Sequence, residues 1–346
     1  MTIYSRADLG WRHHFALQCG EITEPDAARL TGIDRDRVSA LSPDGPLVLT
    51  CPQGLSTGEL AVGDWTLFDP DSHRIIRRLE PFSAIKRKAA GREARTQLIA
   101  ANVDTLGIVT SCNSDFNEAR LERYLALASS AGCMPLILLT KADMAEDPDE
   151  YRHRATALSP LAVAETLDAT DPGELSRLSG WVGTGQTMAL VGSSGVGKTT
   201  ITNGLTGASD LTQDIREDDA RGRHTTTARF LKRTVSGGWL IDTPGMRELG
   251  LADASDGIAE VFGDIEDLAA ACRFNDCSHE SEPGCAVKAA IDSGELDPER
   301  LKRWDKLKRE DRYNSESIAE TRARARSLNK LYRGGSARAK EKRRIE

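Results

Sequence analysis

The sequence predicts a multidomain α/β protein with an N-terminal all-β barrel, a central parallel sheet covered by helices, and a helical C-terminal part. Short β-like runs separated by turn residues occupy 27–86. Continuous apolar runs then alternate with helical stretches, which is typical of a parallel sheet buried on both faces. Beyond Ile258 the chain is charged and helical. The predicted division is 1–86, a linker at 87–98, a central domain at 99–252, a helical domain at 253–335 and a basic tail at 336–346.

The first domain has the pattern of a small Greek-key barrel such as an OB-fold, because about five short strands follow one another within roughly 60 residues. The predicted strands are Ala28–Ile33, Arg37–Leu41, Leu47–Cys51, Asp64–Phe68 and Arg74–Leu79. Barrels of this kind often bind RNA or single-stranded nucleic acid. Residues 84–98 are polar and basic and are interpreted as a linker, whereas 1–25 give no clear pattern.

Composition excludes several classes of protein. With 39% hydrophobic and 29% charged residues, the chain is globular rather than disordered. No apolar run approaches the 18 or so residues of a membrane helix, and the N-terminus lacks the apolar core of a signal peptide. The seven cysteines are an odd number, which favours reduced thiols and a cytoplasmic location.

The net charge of −7 conceals an asymmetry. Residues 301–346 hold 16 Lys and Arg against 7 Asp and Glu, so an acidic body carries a basic C-terminal segment. Such a segment is either a solvated helix or a surface for a polyanion.

The central domain contains a P-loop. Predicted strands at Leu106–Val109, Pro135–Leu139, Leu161–Ala164, Met188–Val191 and Trp239–Ile241 alternate with helices such as Glu118–Ala131. After the fourth strand, Gly192-Ser193-Ser194-Gly195-Val196-Gly197-Lys198-Thr199 matches G-x-x-x-x-G-K-[ST] and leads into a helix from Thr200. The backbone N–H groups of this loop wrap phosphates, Lys198 neutralises their charge, and the Thr199 hydroxyl ligates Mg²⁺.

Two further segments complete a nucleoside triphosphatase pattern. Asp242-Thr243-Pro244-Gly245 ends the fifth strand, where Asp242 is predicted to hold Mg²⁺ and the Gly245 N–H to contact the γ-phosphate. Residues 222–227 (GRHTTT) lie between the P-loop and Asp242, in a charged stretch suited to a switch loop. One of its threonines, taken as Thr226, is expected to complete the Mg²⁺ shell. An ordinary polar loop is the alternative.

Thr140-Lys141-Ala142-Asp143 follows the second strand and predicts guanine selection. The Asp143 carboxylate accepts from N1–H and the exocyclic amine of guanine, a pair that adenine does not offer, and Lys141 lies along the base. In common GTPases the P-loop comes first; here the guanine motif precedes it, so the sequence predicts a circularly permuted GTPase. Such permutation is tolerated where the original termini lie close together.

Cys272, Cys277, His279 and Cys285 lie within fourteen residues. Three thiols and one imidazole match a closed tetrahedral zinc site, which is structural because it leaves no open coordination position. Coincidental cysteines in a reduced protein are the alternative.

Together these motifs resemble the ribosome small-subunit-dependent GTPase A (RsgA) family of bacterial GTPases, from about Ala27 to Leu331. The resembling stretches are AVGDW, AANVDTLGIV, FNEARLERYLALA, GSSGVGKTT, GRHTTTAR, DTPGM and the cysteine cluster. The resemblance implies an OB-fold, a permuted GTPase domain and a zinc domain with the four ligands above. It also implies hydrolysis of GTP to GDP, stimulated by the 30S ribosomal subunit, and a role in late maturation of that subunit through contacts with 16S rRNA. We expect a monomer with no membrane partner.

The sequence departs from the family pattern at two places. Thr140 replaces the family's usual asparagine, which removes an amide that braces the P-loop. The Ser-Ala guanine contact is not recognisable, and Glu165-Thr166 lies roughly where it is expected.

Met246 occupies the position at which Ras-like GTPases carry a water-orienting glutamine. The family's switch histidine corresponds to His224, which is expected to orient the water or else to contact RNA or solvent.

Two rival functions remain at this point. One is a small-molecule kinase with a P-loop, and the other is a nucleotide-independent RNA-binding zinc protein. The guanine motif argues against the first, and the P-loop argues against the second.

Overall fold

The computed structural model describes residues 4–20, 26–34, 37–88, 96–208, 230–242, 251 and 253–315. Within this part of the chain, a β-barrel, a six-stranded sheet and a set of C-terminal helices pack against one another. None of the described helices is both long and apolar enough to cross a membrane.

The N-terminal strands form a closed five-stranded barrel. The strands are β1 Ala27–Ile33, β2 Val38–Ser42, β3 Gly45–Leu49, β4 Trp65–Asp69 and β5 Arg74–Arg78. They are antiparallel neighbours in the order β3-β2-β1-β4-β5, and a parallel bridge between Thr50 and Arg74 joins the two edges. The Thr50 N–H donates to His73 O (3.0 Å), and the Ile75 N–H donates to Thr50 O (2.9 Å). The predicted OB-fold barrel is confirmed, and each predicted strand overlaps an observed one.

The segment interpreted as a linker contains two paired strands. β6 (Ala84–Lys88) is antiparallel to β7 (Thr96–Ala101). Ile85 and Ile99, one from each strand, are fully buried in the main core. Burial of these two side chains outweighs the polar composition that suggested a linker.

The central sheet has the order β10-β9-β8-β11-β13-β12 and is parallel except for its last strand. Its strands are β8 Thr105–Ser111, β9 Met134–Thr140, β10 Val163–Thr166, β11 Thr187–Gly192, β12 Phe230–Arg233 and β13 Trp239–Asp242. After the short N-terminal helix α1 (His13–Ala16), the helices of this domain are α2 Glu118–Ala131, α3 Pro148–Thr156, α4 Pro172–Ser176 and α5 Lys198–Thr206. The parallel strands place their carboxyl ends, and the motifs that follow them, at one edge of the sheet.

The N-terminal segment packs into the junction between the barrel and the central sheet. The rings of Trp11 and Trp65, the latter a barrel residue, make an edge-to-face contact with 4.9 Å between their centroids. Phe15 is fully buried beside them. Arg12 forms an ion pair with Asp104 at the start of the central domain. Residues 4–20 therefore belong to the core that both domains share.

Arg29 on β1 connects the barrel to the central sheet. Only 1% of its surface is exposed. Its guanidinium donates to the Thr187 hydroxyl (2.7 Å) and to the carbonyl oxygens of Leu9 (2.9 Å), Asn102 (3.3 Å) and Gly63 (3.4 Å). Burial lowers the pKa of Arg29 to about 10. The hydrogen bonds offset the cost of burying this charge.

The C-terminal helices pack on α2. They are α6 Ser255–Val261, α7 Gly263–Ala270, α8 Ala286–Asp292 and α9 Pro298–Ser315. Glu122 of α2 is fully buried and accepts from Arg300 (2.9 Å) and Arg303 (2.7 Å) of α9. Burial raises the pKa of Glu122, and the two guanidinium groups oppose that rise. Removing one partner of such a pair leaves an uncompensated buried charge.

Candidate nucleotide site and metal centre

The P-loop follows the central strand β11 at the carboxyl edge of the sheet. β11 ends at Gly192, and α5 begins at Lys198 after a turn capped by Gly197. Gly192 has φ +142°, and a Cβ there would lie 2.1 Å from the Val109 carbonyl oxygen of β8. Only glycine fits this close approach. Ser194, Gly195 and Thr199 are exposed on the loop.

Lys198 reaches back across the loop. Its ammonium donates to the carbonyl oxygens of Gly192 (2.9 Å) and Ser193. These contacts place a positive charge within the concave side of the turn, beside the N-terminus of α5. The arrangement suits the phosphates of a nucleotide.

The guanine motif meets the P-loop through Thr140. This residue ends β9 and is 1% exposed. Its hydroxyl lies 2.7 Å from Val196 O of the P-loop and 3.1 Å from Thr110 O of β8. An asparagine at this position would brace the P-loop through its side-chain amide. The threonine hydroxyl instead makes that contact itself.

Replacing Thr140 with valine is expected to weaken GTP binding by roughly tenfold. Valine keeps the shape but leaves the buried Val196 carbonyl without this donor, a loss worth about 1–3 kcal/mol. Titration with a fluorescent guanine nucleotide measures the effect. Thr140→Ser keeps the hydroxyl and is the matched control. Equal affinity of the valine and serine variants would show that the bond does not support the site.

The remaining residues of the guanine motif turn outward from the sheet. Lys141 has φ +57° in the left-handed region, and Ala142–Met144 form a single 3₁₀ turn. Asp143 is exposed at this edge. A carboxylate in this position is available to a base that lies over the edge.

The loop after β10 lies next to the guanine motif, although its sequence carries no recognisable guanine-binding signal. Thr166 pairs with Leu139, and the Leu167 N–H donates to Leu139 O (2.9 Å). The next residue, Asp168, accepts from both the hydroxyl (2.6 Å) and the N–H (2.8 Å) of Thr170. These bonds, the hydroxyl first, lower the pKa of Asp168. Glu165 and Thr166 themselves belong to β10, so 167–170 is the stretch that faces this edge.

The order of strands in space brings the permuted motifs to the same edge of the sheet. β11, which carries the P-loop, lies between β8 and β13. The guanine motif on β9 is one strand beyond β8, and Asp242 ends β13 on the other side. The chain enters the sheet at β8 and forms β9 and β10 before it returns to β11. His224, Thr226 and Gly245 lie outside the described residues.

The four predicted metal ligands come together in the C-terminal part. The ligand atoms of Cys272, Cys277, His279 and Cys285 all lie within 4.8 Å of one another. Cys272 Sγ is 3.8 Å from Cys285 Sγ, and His279 Nδ1 is 3.7 and 3.6 Å from these two sulfurs. Zinc–sulfur bonds of about 2.3 Å place two sulfurs of a tetrahedron about 3.8 Å apart. The donor set therefore fits a tetrahedral metal.

Helix α9 supports this cluster. The ring of Trp304 lies 5.9 Å from that of His279, and its indole N–H donates to Glu266 (3.0 Å) of α7. Lys308 lies 4.2 Å over the Trp304 ring and pairs with Glu266. The cluster of three cysteines and His279 is thus joined to the same helix that holds Glu122 of the central domain.

Comparison with known proteins identifies the family. A sequence model of the RsgA GTPase family matches residues 79–252. A relative from Mesorhizobium japonicum, named small ribosomal subunit biogenesis GTPase RsgA, is 51% identical over 317 residues that cover 90% of this chain and 91% of that protein. The chain belongs to the RsgA GTPase family. A second relative, from Vibrio parahaemolyticus and named small ribosomal subunit biogenesis GTPase RsgA 2, is 44% identical over 94% of this chain and 91% of its own length.

Two solved structures share the RsgA fold seen here. YjeQ from Thermotoga maritima has a TM-score of 0.58 at 20% identity, covering 82% of this chain and 97% of its own. YloQ, described as a circularly permuted GTPase, has a TM-score of 0.57 at 23% identity, covering 88% and 99%. Membership of the RsgA family confirms the predicted fold and the GTPase class, and it rules against the kinase and the nucleotide-independent protein.

Proposed function

We propose that this chain hydrolyses GTP in the biogenesis of the small ribosomal subunit and that the subunit stimulates hydrolysis. One observation carries the nucleotide part: the Thr140 hydroxyl joins the guanine motif to the P-loop carbonyl of Val196 at 2.7 Å. A base-selecting segment and a phosphate-binding segment thereby form one site. The names of the relatives support the ribosomal part.

In this proposal, GTP lies along the carboxyl edge of the central sheet. Thr140, Lys141, Ala142 and Asp143 hold the base, and residues 192–200 hold the phosphates. Lys198 faces the phosphates from within the loop, where its ammonium already lies. Thr199, Thr226 and Asp242 would hold Mg²⁺, which supplies charge neutralisation of the triphosphate when bound.

Hydrolysis requires a group that orients water, and Met246 has no strong donor or acceptor. His224 is proposed for that task, and the Gly245 N–H for contact with the γ-phosphate. Slow turnover by the protein alone is expected, because Met246 stands where Ras-like GTPases carry the glutamine that orients water.

The C-terminal cluster is proposed to bind one structural Zn²⁺ through Cys272, Cys277, His279 and Cys285. The complete donor set supports this, because four protein ligands leave no position for a substrate. The metal would hold together the segment 271–284, in which no residue is buried.

The ribosomal contacts are proposed to involve the barrel and the basic C-terminal segment, mainly with phosphates of 16S rRNA. The charge asymmetry of residues 301–346 supports this. The protein is proposed to act as a cytoplasmic monomer with the domain division given above, except that β6 and β7 pair with each other across the predicted linker.

GTP turnover with and without purified 30S subunits tests the proposal. We expect slow GTP hydrolysis by the protein alone and strong stimulation by 30S subunits, with no comparable effect of 50S subunits. Equal rates in all three conditions would refute the ribosomal part of the proposal.

Asp143→Asn is expected to exchange guanine preference for xanthine preference. An amide donates to the 2-oxo group of xanthine, whereas a carboxylate accepts from the 2-amino group of guanine. Competition between GTP, XTP and ATP for the two proteins measures the change. Equal binding of ATP and GTP by the wild-type protein would overturn guanine selection.

A further inference from the structure

Strands β12 and β13 carry the residues next to both predicted switch segments. Phe230 begins β12 and directly follows 209–229, the stretch of sequence that includes the switch threonines. Asp242 ends β13. Phe230 and Asp242 are cross-strand partners in the antiparallel pair, so the backbone positions of the two residues depend on each other.

The Phe230 ring rests on the barrel at Gly32. A methyl group at Gly32 of β1 would lie 3.4 Å from Cδ1 and Cε1 of Phe230. The φ angle of Gly32 lies outside the left-handed region, so its backbone does not require glycine. A methyl group there would make ordinary van der Waals contact with the ring, so the ring lies directly beside β1 of the barrel. The rest of the Phe230 side chain is open to solvent, since it is 50% exposed.

The rest of the β12–β13 hairpin also touches the N-terminal part of the chain. The Trp239 indole N–H donates to Asp8 O (2.7 Å), and Arg233 lies 4.9 Å over the Tyr4 ring. Nearer the carboxyl edge, a methyl group at Gly63 of the barrel would lie 3.2 Å from Cδ1 of Ile241. The barrel and its N-terminal segment therefore hold the hairpin along its length.

We propose that Phe230 is a positioning residue through which the position of the barrel sets the backbone at Asp242, and that binding of a partner to the barrel thereby changes the rate of GTP hydrolysis. The inference rests on the proposed function, because it concerns the hydrolysis that the small subunit stimulates. Close-packed interfaces transmit small displacements. A displacement of about 1 Å at reacting groups costs up to about 100-fold in rate.

GTP binding itself is expected to be independent of this contact. The P-loop follows β11 and the guanine motif follows β9, and neither strand is a neighbour of β12 in the sheet. Loss of the Phe230 ring should therefore lower the stimulated rate by a larger factor than the basal rate, because Asp242 is a proposed Mg²⁺ ligand in both, while the P-loop and the guanine motif keep their hold on the nucleotide. That separation distinguishes a positioning role from a general loss of structure.

Single-turnover GTP hydrolysis by Phe230→Ala, with saturating 30S subunits and without them, tests the proposal. We expect the stimulated rate to fall by about tenfold or more, the basal rate to fall by a smaller factor, and the melting temperature and the Kd for GTP to stay close to those of the wild type. Phe230→Tyr keeps the ring and should restore stimulation. Val235→Ala is the matched control, because Val235 is 74% exposed in the turn of the same hairpin.

A double-mutant cycle with Gly32→Val identifies the contact itself, because a side chain longer than a methyl group would collide with the ring. Valine should lower the stimulated rate when Phe230 is present and have no effect in the Phe230→Ala background. Additive effects would overturn the inference, as would wild-type stimulation of Phe230→Ala. An equal fall of the basal and stimulated rates together with a lower melting temperature would also overturn it, since it would indicate a structural role. If 30S subunits do not stimulate the wild-type protein, the proposed function fails instead.

Discussion

Lys198→Ala is expected to raise the Kd for GTP by about 100-fold. The ammonium lies within the P-loop, bonded to the Gly192 and Ser193 carbonyl oxygens, so it faces the phosphates before any chemistry occurs. Charge-assisted hydrogen bonds contribute about 1.5–3 kcal/mol, which corresponds to a change of this size. Equilibrium titration of nucleotide measures it. Lys302→Ala, on the exposed side of α9, should leave the affinity unchanged.

His224→Ala is expected to behave in the opposite way. It should lose most of the stimulated rate while the affinity for GTP stays the same, which is the result for an interaction made only in the transition state. Met246→Ala should be milder, because a thioether does not orient water. If His224→Ala kept the stimulated rate of the wild type, another group would have to orient the water.

Cys285→Ser is expected to remove the metal and unfold the chain locally around the cluster. Structural zinc supplies about 10–16 kcal/mol of folding free energy in small zinc domains. Cys285 also caps α8 by accepting from the Lys288 N–H (3.4 Å). Because serine is a good helix cap, the substitution keeps the cap and removes only the metal ligand. Metal analysis and hydrogen exchange over 253–315 measure the outcome.

Nucleotide affinity should survive the loss of the metal, because the P-loop strand has a core of its own. Cys51→Ser, in the barrel, should keep a full complement of zinc. The assignment would be contradicted if Cys285→Ser held as much zinc as the wild type, or if wild-type protein purified without chelator held none.

Elements set by local signals were predictable from the sequence. The predicted helix Glu118–Ala131 has the observed bounds, because the Asn117 side chain caps its first turn and Gly132 ends it with φ +73°. The P-loop and the guanine motif are likewise continuous in sequence. The cysteine cluster was predictable because its ligands lie close together along the chain.

Contacts between distant segments were not predictable. The polar sequence of β6 and β7 gave no sign that Ile85 and Ile99 would be buried. The position of 4–20 is fixed by contacts with residues far along the chain, such as the hydrogen bond from the Trp239 indole N–H to Asp8 O. The brace between Thr140 and Val196 joins residues 56 positions apart, and a short hydroxyl reaches only because β9 and β11 end at the same edge.

The buried guanidinium of Arg29 has a consequence for how this protein could be divided. The RsgA family match begins at residue 79, which marks a unit of descent. A fragment that began there would lack Arg29, Leu9 and Asp8, and it would expose the base of the central sheet at Thr187 and Trp239. The part of the chain that the family shares is therefore not the part that folds as a unit. A GTPase domain that begins at residue 79 should be insoluble or unstable. The same truncation would have little effect on stability in a protein whose barrel is joined only by a flexible linker.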